Sequence, residues 1–354
     1  RSGRLETRID IPLPDVDAWA DVWSQERFPD TFLERVEAEC AGRFGLFDAV
    51  RPFYQSADIP LDKKPVESLK SVGYLVPQAS TGTNVAHFNH AGEARHAFCP
   101  ACCARGLVHL PPFALAGGAG IKPGINGVPP LYVLPRGETL FHTLLLNFVF
   151  QPPPMAAAQD PGPLWVASAR VEARKEKNGA GFVESLTWPP RRVRLFPDAG
   201  GECSLCGRAA PVLVRRMVFA QGWSLARGLP LWRDPWAAYS RKSNKADQAD
   251  LQPVRPTEQK DVWRDFPGLF LKELEGQTYR PTLLDELEDR RADGSLPADA
   301  PVTFEVFGLR TDMKAKIFEW RQDHFEFPSA LLASRPAARA IREALEAAET
   351  VDRA

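Results

Sequence analysis

Two cysteine pairs carry the most specific chemistry in the chain. Cys99 and Cys102 are spaced C-x-x-C with Cys103 adjacent, and Cys203 and Cys206 repeat the spacing. A C-x-x-C places two sulfurs on one ion, and zinc takes four thiolates tetrahedrally at about 2.3 Å. Gly207 follows the second pair and permits the left-handed turn that a knuckle of this kind uses. Two such pairs point to a structural zinc on Cys99, Cys102, Cys203 and Cys206, with Cys103 and Cys40 as bystanders. The competing readings are a redox pair and unrelated buried cysteines. Because a long stretch separates the pairs, the fold rather than a local finger must bring them together.

A catalytic zinc keeps an open position and usually has histidine or carboxylate ligands. The zinc deaminases carry H-x-E and then P-C-x-x-C. Here His90 and Glu93 are spaced H-x-x-E and the pair reads F-C-P-A-C, so the match fails at both ends. No G-x-S-x-G, Walker A or H-E-x-x-H run is present, and the GGAG at 117–120 lacks the dinucleotide spacing. A zinc-dependent enzyme acting on nucleic acid and a zinc-stabilised protein-interaction module stand as alternatives to a DNA-binding role.

Residues 114–130 (ALAGGAGIKPGINGVPP) form an irregular glycine-rich loop. A backbone without side chains can approach a ligand closely. With Lys122 beside it, such a loop can enter a DNA minor groove about 6 Å wide; the plainer reading is a surface turn. Arg310–Arg321 (RTDMKAKIFEWR) follows a strand and carries Lys314, Lys316 and Arg321. It is either a basic tip for nucleic acid or the start of a solvated helix. Lys242 and Lys245 lie in a charged run, 240–252, expected to be an exposed loop.

The composition sets bounds. The chain has 354 residues, 44 Lys+Arg against 45 Asp+Glu, and a net charge of −1. That excludes a globally basic nucleic-acid coat, so nucleic-acid binding must come from local patches or an assembly. With 44% hydrophobic and 25% charged residues, the balance is that of a soluble globular protein. The most apolar run, Thr139–Phe150, is shorter than a membrane span of about 20 residues and contains His142 and Asn147. It reads as part of a buried helix over Gly137–Phe150, with His142 a satisfied core residue. The chain opens Arg-Ser-Gly without Met or a secretory signal, so it reads as a piece of a longer protein with a cytoplasmic location.

These groups need a frame. The pattern predicts helix over 15–40 broken at Pro29, a short strand near 66–74, a long loop over 78–103 and a short helix over 104–110. It predicts a strand over 131–134 and a polar, basic, mobile segment over 157–181. Strands at 191–196 and 212–219 flank a hairpin with Cys203 and Cys206 at its tip. Helix around Trp263 and Phe266, a strand at 302–308 and a helix over 334–351 capped by Ser334 complete the pattern. The fold class is α+β.

Several of these segments, in order, resemble the CasA family, the large subunit of the type I-E CRISPR surveillance complex Cascade. They are Arg51-Pro-Phe-Tyr-Gln55, residues 81–89 (TGTNVAHFN), Cys99-x-x-Cys102, Gly117–Gly127, Arg136–Leu140 running into Leu144–Asn147, Cys203-x-x-Cys206-Gly207 and Phe307–Arg321. The resemblance covers about Phe44 to Phe327. It implies a non-catalytic subunit beside the crRNA 5′ end that binds other Cascade subunits. Such a subunit reads the protospacer-adjacent motif (PAM) in double-stranded target DNA, starts strand separation and R-loop formation, and docks a helicase-nuclease. By position, the resemblance puts the PAM-reading loop on Ala116, Gly117, Gly118, Ala119 and Gly120, with Lys122 after it. It puts a guide- and PAM-proximal loop on His87, Phe88 and Asn89, the strand-splitting wedge on Met313, Lys314 and Ala315, and a lysine finger on Lys245 or Lys242. It implies an α+β domain over 1–328 and the first helix of a C-terminal bundle over 329–354.

Overall fold

Thr139 and Ser334 cap the helices that follow them, and the strands follow the apolar runs. The structure is a computed structural model that describes residues 16–59, 69–77, 79, 96–117, 120–167, 171–241, 251–258, 261–272, 278–312, 316–328 and 330–352. In chain order these form α1 (Val16–Gln25), α2 (Asp30–Cys40), β1 (Leu69–Ser71), α3 (Pro100–Phe113), β2 (Tyr132–Arg136), α4 (Leu140–Leu146), α5 (Leu164–Ala167), β3 (Glu176–Lys177), α6 (Phe182–Leu186), β4 (Arg191–Glu202), β5 (Ala209–Gln221), β6 (Ser224–Leu225), β7 (Tyr239–Arg241) and β8 (Leu251–Pro253). Then come α7 (Phe266–Phe270), β9 (Thr278–Tyr279), α8 (Thr282–Ala292), β10 (Thr303–Thr311), β11 (Ile317–Phe325), α9 (Ala330–Ala333) and α10 (Arg335–Asp352).

Two antiparallel sheets dominate. One has the order β1-β5-β4, the other β11-β10-β2. The β4–β5 hairpin pairs Val193 with Phe219 and Leu195 with Met217, then slips register at Phe196/Pro197, where proline has no N–H to give the ladder. The β10–β11 hairpin pairs Phe304 with Phe325 and Gly308 with Arg321. Gly308 is required there, because a Cβ would sit 2.6 Å from Leu131.

Each sheet has its own core. Phe98, Cys102, Leu107, Trp188, Leu195 and Met217 pack in the first. Trp19, Val133, Phe270, Leu284, Phe304 and Leu332 pack in the second. A fully buried side chain of this size contributes about 1.5–3 kcal/mol, so both clusters are substantial.

Four expectations are corrected. The buried helix over 137–150 is only α4, capped by the Thr139 hydroxyl. Asn147 ends it by donating its amide to the carbonyls of Thr143 and Pro135, both at 2.7 Å, a side-chain alternative to the helix ladder. Leu140 and Leu144 are exposed and only Leu145 and Leu146 are buried. His142 is half-buried against Trp23 (4.7 Å) with Thr139 Oγ1 on Nδ1, so it is partnered but not in the core. The helix expected at 104–110 is longer because Pro100 occupies its first turn, where a missing N–H costs nothing. The described part of 157–181 is largely exposed, as its polar sequence implies, and is anchored where the Asp160 carboxylate accepts from the N–H groups of Val183 and Glu184 and where Val171 is buried. Finally, Arg310–Arg321 does not begin a helix: Arg310 and Thr311 end β10, and Ile317–Arg321 belong to β11.

Candidate metal centre and nucleic-acid interface

The four cysteines converge. Cys99 is the N-cap of α3 and Cys102 lies in its first turn, while Cys203 and Cys206 sit at the β4–β5 tip. Their sulfurs all lie within 4.8 Å of one another, with Cys99 and Cys206 at 3.9 Å. A tetrahedron with bonds of about 2.3 Å has edges near 3.8 Å, whereas a disulfide needs about 2.05 Å; all six thiols are free. Gly207 takes φ +71° and closes the knuckle by donating to Cys203 O at 2.9 Å.

Protein bonds alone join the two halves. Phe98 and Val214 exchange backbone hydrogen bonds at 2.9 and 2.8 Å, and Ser204 N–H donates to Ala97 O at 2.8 Å. At Cys203, burial disfavours the thiolate, but N–H groups of Cys99, Cys206 and Leu205 aimed at the sulfur outweigh it and bring the pKa to about 6. Burial pushes Cys102 up to about 12, with Arg105 opposing at 3.2 Å from its sulfur. Donors arranged for thiolate beside the positive end of α3 suit a four-sulfur metal. Cys103 is buried against Phe98 O and takes no part.

The glycine loop leaves α3 directly. Gly117 N–H donates to Ile121 O at 3.1 Å and Gly124 N–H to Ala114 O at 2.9 Å. Gly120 has φ +78°, and a Cβ there would come 2.9 Å from Arg174 Nη1. Ala116, Gly117, Gly120 and Lys122 are thereby placed; Gly118 and Ala119 lie outside the described residues. Lys122 Nζ donates to Glu176 Oε1 at 2.5 Å and to Ser224 Oγ at 3.4 Å. A cleft of about 250 Å³ opens beside the loop, between Lys122–Ile125 and Ser224–Trp232.

The β10–β11 hairpin closes next to the expected wedge. Asp312 N–H donates to Lys316 O at 3.2 Å, and Lys316 N–H to the Asp312 carboxylate at 3.1 Å. Met313, Lys314 and Ala315 lie outside the described residues, as do His87, Phe88, Asn89, Lys242 and Lys245. Loop and hairpin meet through aromatic rings: Phe113, the last residue of α3, lies 5.1 Å from Trp320 on β11, and His109 lies 5.7 Å from it. Sequence reasoning missed this joint, and missed Arg191 at the loop's stems. The one available signal for Arg191 was its parity with the buried Val193 and Leu195.

The arrangement defines a class: a two-core α+β scaffold that holds a glycine loop and a long hairpin around a thiol knot. The pattern of the family CRISPR-associated protein Cse1 matches residues 6–354. The chain is 28% identical over 344 residues to CRISPR-associated protein CasA/Cse1 of Thermus thermophilus, covering 93% of this chain and 61% of that one. It superposes on the structure of Thermus thermophilus CasA (Cse1) with a TM-score of 0.67 at 27% identity, over 96% of this chain and 67% of that one. A chain of a CRISPR RNA-guided surveillance complex shares the fold, with a TM-score of 0.70 at 20% identity over 96% and 66% of the two chains. The chain belongs to the CRISPR-associated Cse1 family, also called CasA. It spans 61% of the length of its curated relative. Among the described residues, no helix is long and apolar enough to cross a membrane.

Proposed function

We propose that this chain is the non-catalytic DNA-recognition subunit of a cytoplasmic, type I-E RNA-guided surveillance complex. It binds the other Cascade subunits near the crRNA 5′ end and reads the PAM in duplex DNA through the loop 116–120 with Lys122. It then opens the first base pairs with the hairpin tip at Met313, Lys314 and Ala315, and presents a surface to the helicase-nuclease. His87, Phe88 and Asn89, and the finger Lys245 or Lys242, complete the contacts. The observation that carries this reading is the Phe113–Trp320 joint, which ties the loop's root to the strand that leads into the tip. From Trp320 to Ile317 is about 10 Å along β11, so the loop's root and the end of the hairpin are close enough to act on one stretch of duplex. Cys99, Cys102, Cys203 and Cys206 would hold the zinc, which when bound cross-links α3 to the β4–β5 tip and thereby braces the loop's root. The α+β domain spans 1–328, and 329–354 begins the C-terminal bundle.

The near-neutral charge suits brief sampling of DNA by an assembly that already holds its guide, since protein reads the short motif and base pairing reads the rest. The test is gel-shift binding of PAM-bearing duplex by the crRNA-loaded complex, with and without this chain, at two salt concentrations. Affinity and motif discrimination that appear only with the chain support the reading; no change on adding it overturns the reading.

A further inference from the structure

Both stems of the glycine loop end on one arginine. Arg191 opens β4 and is 5% exposed. Its Nη1 donates to Lys122 O at 2.8 Å and to Pro190 O at 2.8 Å, and its Nη2 donates to Leu115 O. Leu115 and Lys122 are the residues at which the loop 116–121 leaves and rejoins the frame. Gln221, the register partner of Arg191 on β5, accepts the Lys122 N–H on Oε1 at 2.6 Å. Its own amide is anchored on Trp223 O at 3.2 Å.

The charge is unexpected. No described carboxylate pairs with Arg191, and its partners are backbone carbonyls and the ring of Phe219 at 5.6 Å. Burial lowers its pKa to about 10, so it is still a cation at neutral pH. Burying an unneutralised cation is costly. Two loop stems do not need one to stay folded, because a neutral side chain can also cap carbonyls. What the planar guanidinium adds is a rigid fork whose separate N–H groups fix two oxygens relative to each other.

We propose that Arg191, assisted by Gln221, is a positioning residue for the DNA-reading loop, fixing Leu115 against Lys122 so that the backbone between them meets the groove in one register. This role rests on the PAM-reading function assigned to the loop above. Lys122 is on the same stem, so the clamp also sets where its ammonium begins.

The test uses the full chain assembled with crRNA and its partner subunits. The probe is a library of duplexes carrying one crRNA-matched protospacer beside a randomised trinucleotide, and the readout is the enrichment ratio of best over worst motif. Loss of folded subunit lowers total binding but leaves that ratio alone. Arg191→Met is expected to lower the ratio about tenfold and to speed amide exchange at 115–122, without changing metal content or β4–β5 exchange. Arg191→Lys restores part of the ratio, since an ammonium reaches one stem but not both. Gln221→Leu removes the acceptor of the Lys122 stem alone and is expected to cost about threefold; it carries the test if the methionine variant does not fold. Gly120→Asp probes the loop itself. If it lowers the ratio while Arg191→Met and Gln221→Leu do not, the positioning role is overturned and the loop's function stands. If Gly120→Asp leaves the ratio unchanged, the loop's function falls and the positioning role with it.

Discussion

Lys122 is paired with Glu176, so in the proposed DNA-reading role it would meet a phosphate only by giving up that carboxylate. The two side chains are 40% and 54% exposed, so the pair is weak and exchanges readily. The lysine beside it holds the Glu176 carboxyl below the usual carboxylate range, so the pair persists into mildly acidic solution. Glu176→Gln is therefore expected to raise the complex's affinity for duplex DNA, by up to about fivefold. Lys122→Ala should lower affinity and reduce the slope of log K against log salt by about one. Unchanged slopes would remove Lys122 from the interface. At the thiol knot, Cys203→Ser takes away the sulfur on which the N–H donors converge. Metal analysis should find the zinc lost, and the thermal midpoint should fall. A metal-free wild-type chain of equal stability would end the zinc assignment. The cysteines were legible because C-x-x-C is a local spacing. Glu176, 54 residues from Lys122, and the carbonyl partners of Arg191 were not, because only the fold makes those meetings.

Among the elements, the joint between α3 and β11 responds to acid. His109 stacks on Phe113 at 4.4 Å and reaches Trp320. Burial lowers its pKa to about 4, against about 6.5 when unfolded. The folded state thus refuses a proton that the unfolded state accepts. This stability is complete above pH 6.5 and is lost as the pH falls toward 4. The loss is on the order of 3 kcal/mol, measurable as the thermal midpoint against pH, and His109→Gln should flatten that part of the curve. The β4–β5 hairpin was readable because adjacent strands need only local pattern and a turn, whereas β11 was not read as a strand, since its charged residues mask the alternation. The helix expected over 137–150 failed because composition registered its leucines but not the Asn147 amide, whose bonds to Thr143 and Pro135 stop the helix after seven residues. The aromatic joint left no local pattern at all.

Across the whole molecule, the two cores make different demands on the chain. Leu332 is buried in the second core, and Arg280 donates to Leu332 O at 2.9 Å and Phe270 O at 3.2 Å. Ending the chain at 328 should cost about 2–5 kcal/mol and speed hydrogen exchange in β2 and α8, while β4–β5 stays protected. Exchange unchanged throughout would mean that 329–354 is an independent unit. The α+β class was legible from strand runs and helix caps alone, but the division into two cores was not, since each core gathers residues far apart in sequence.

The thiol knot also has a timetable. Cys99 and Cys203 are 104 residues apart, and at about 5–20 residues per second the ribosome needs roughly 5–20 s to make that stretch. Through that interval Cys99 and Cys102 are a dithiol with no second pair to meet. Metal therefore cannot seed the fold from the first pair. A zinc on all four thiols would join the two halves only once Cys206 has been made, and Val214, whose bridge to Phe98 ties the same segments, follows it in the chain; a nascent chain stalled between the two pairs is the form most open to oxidation.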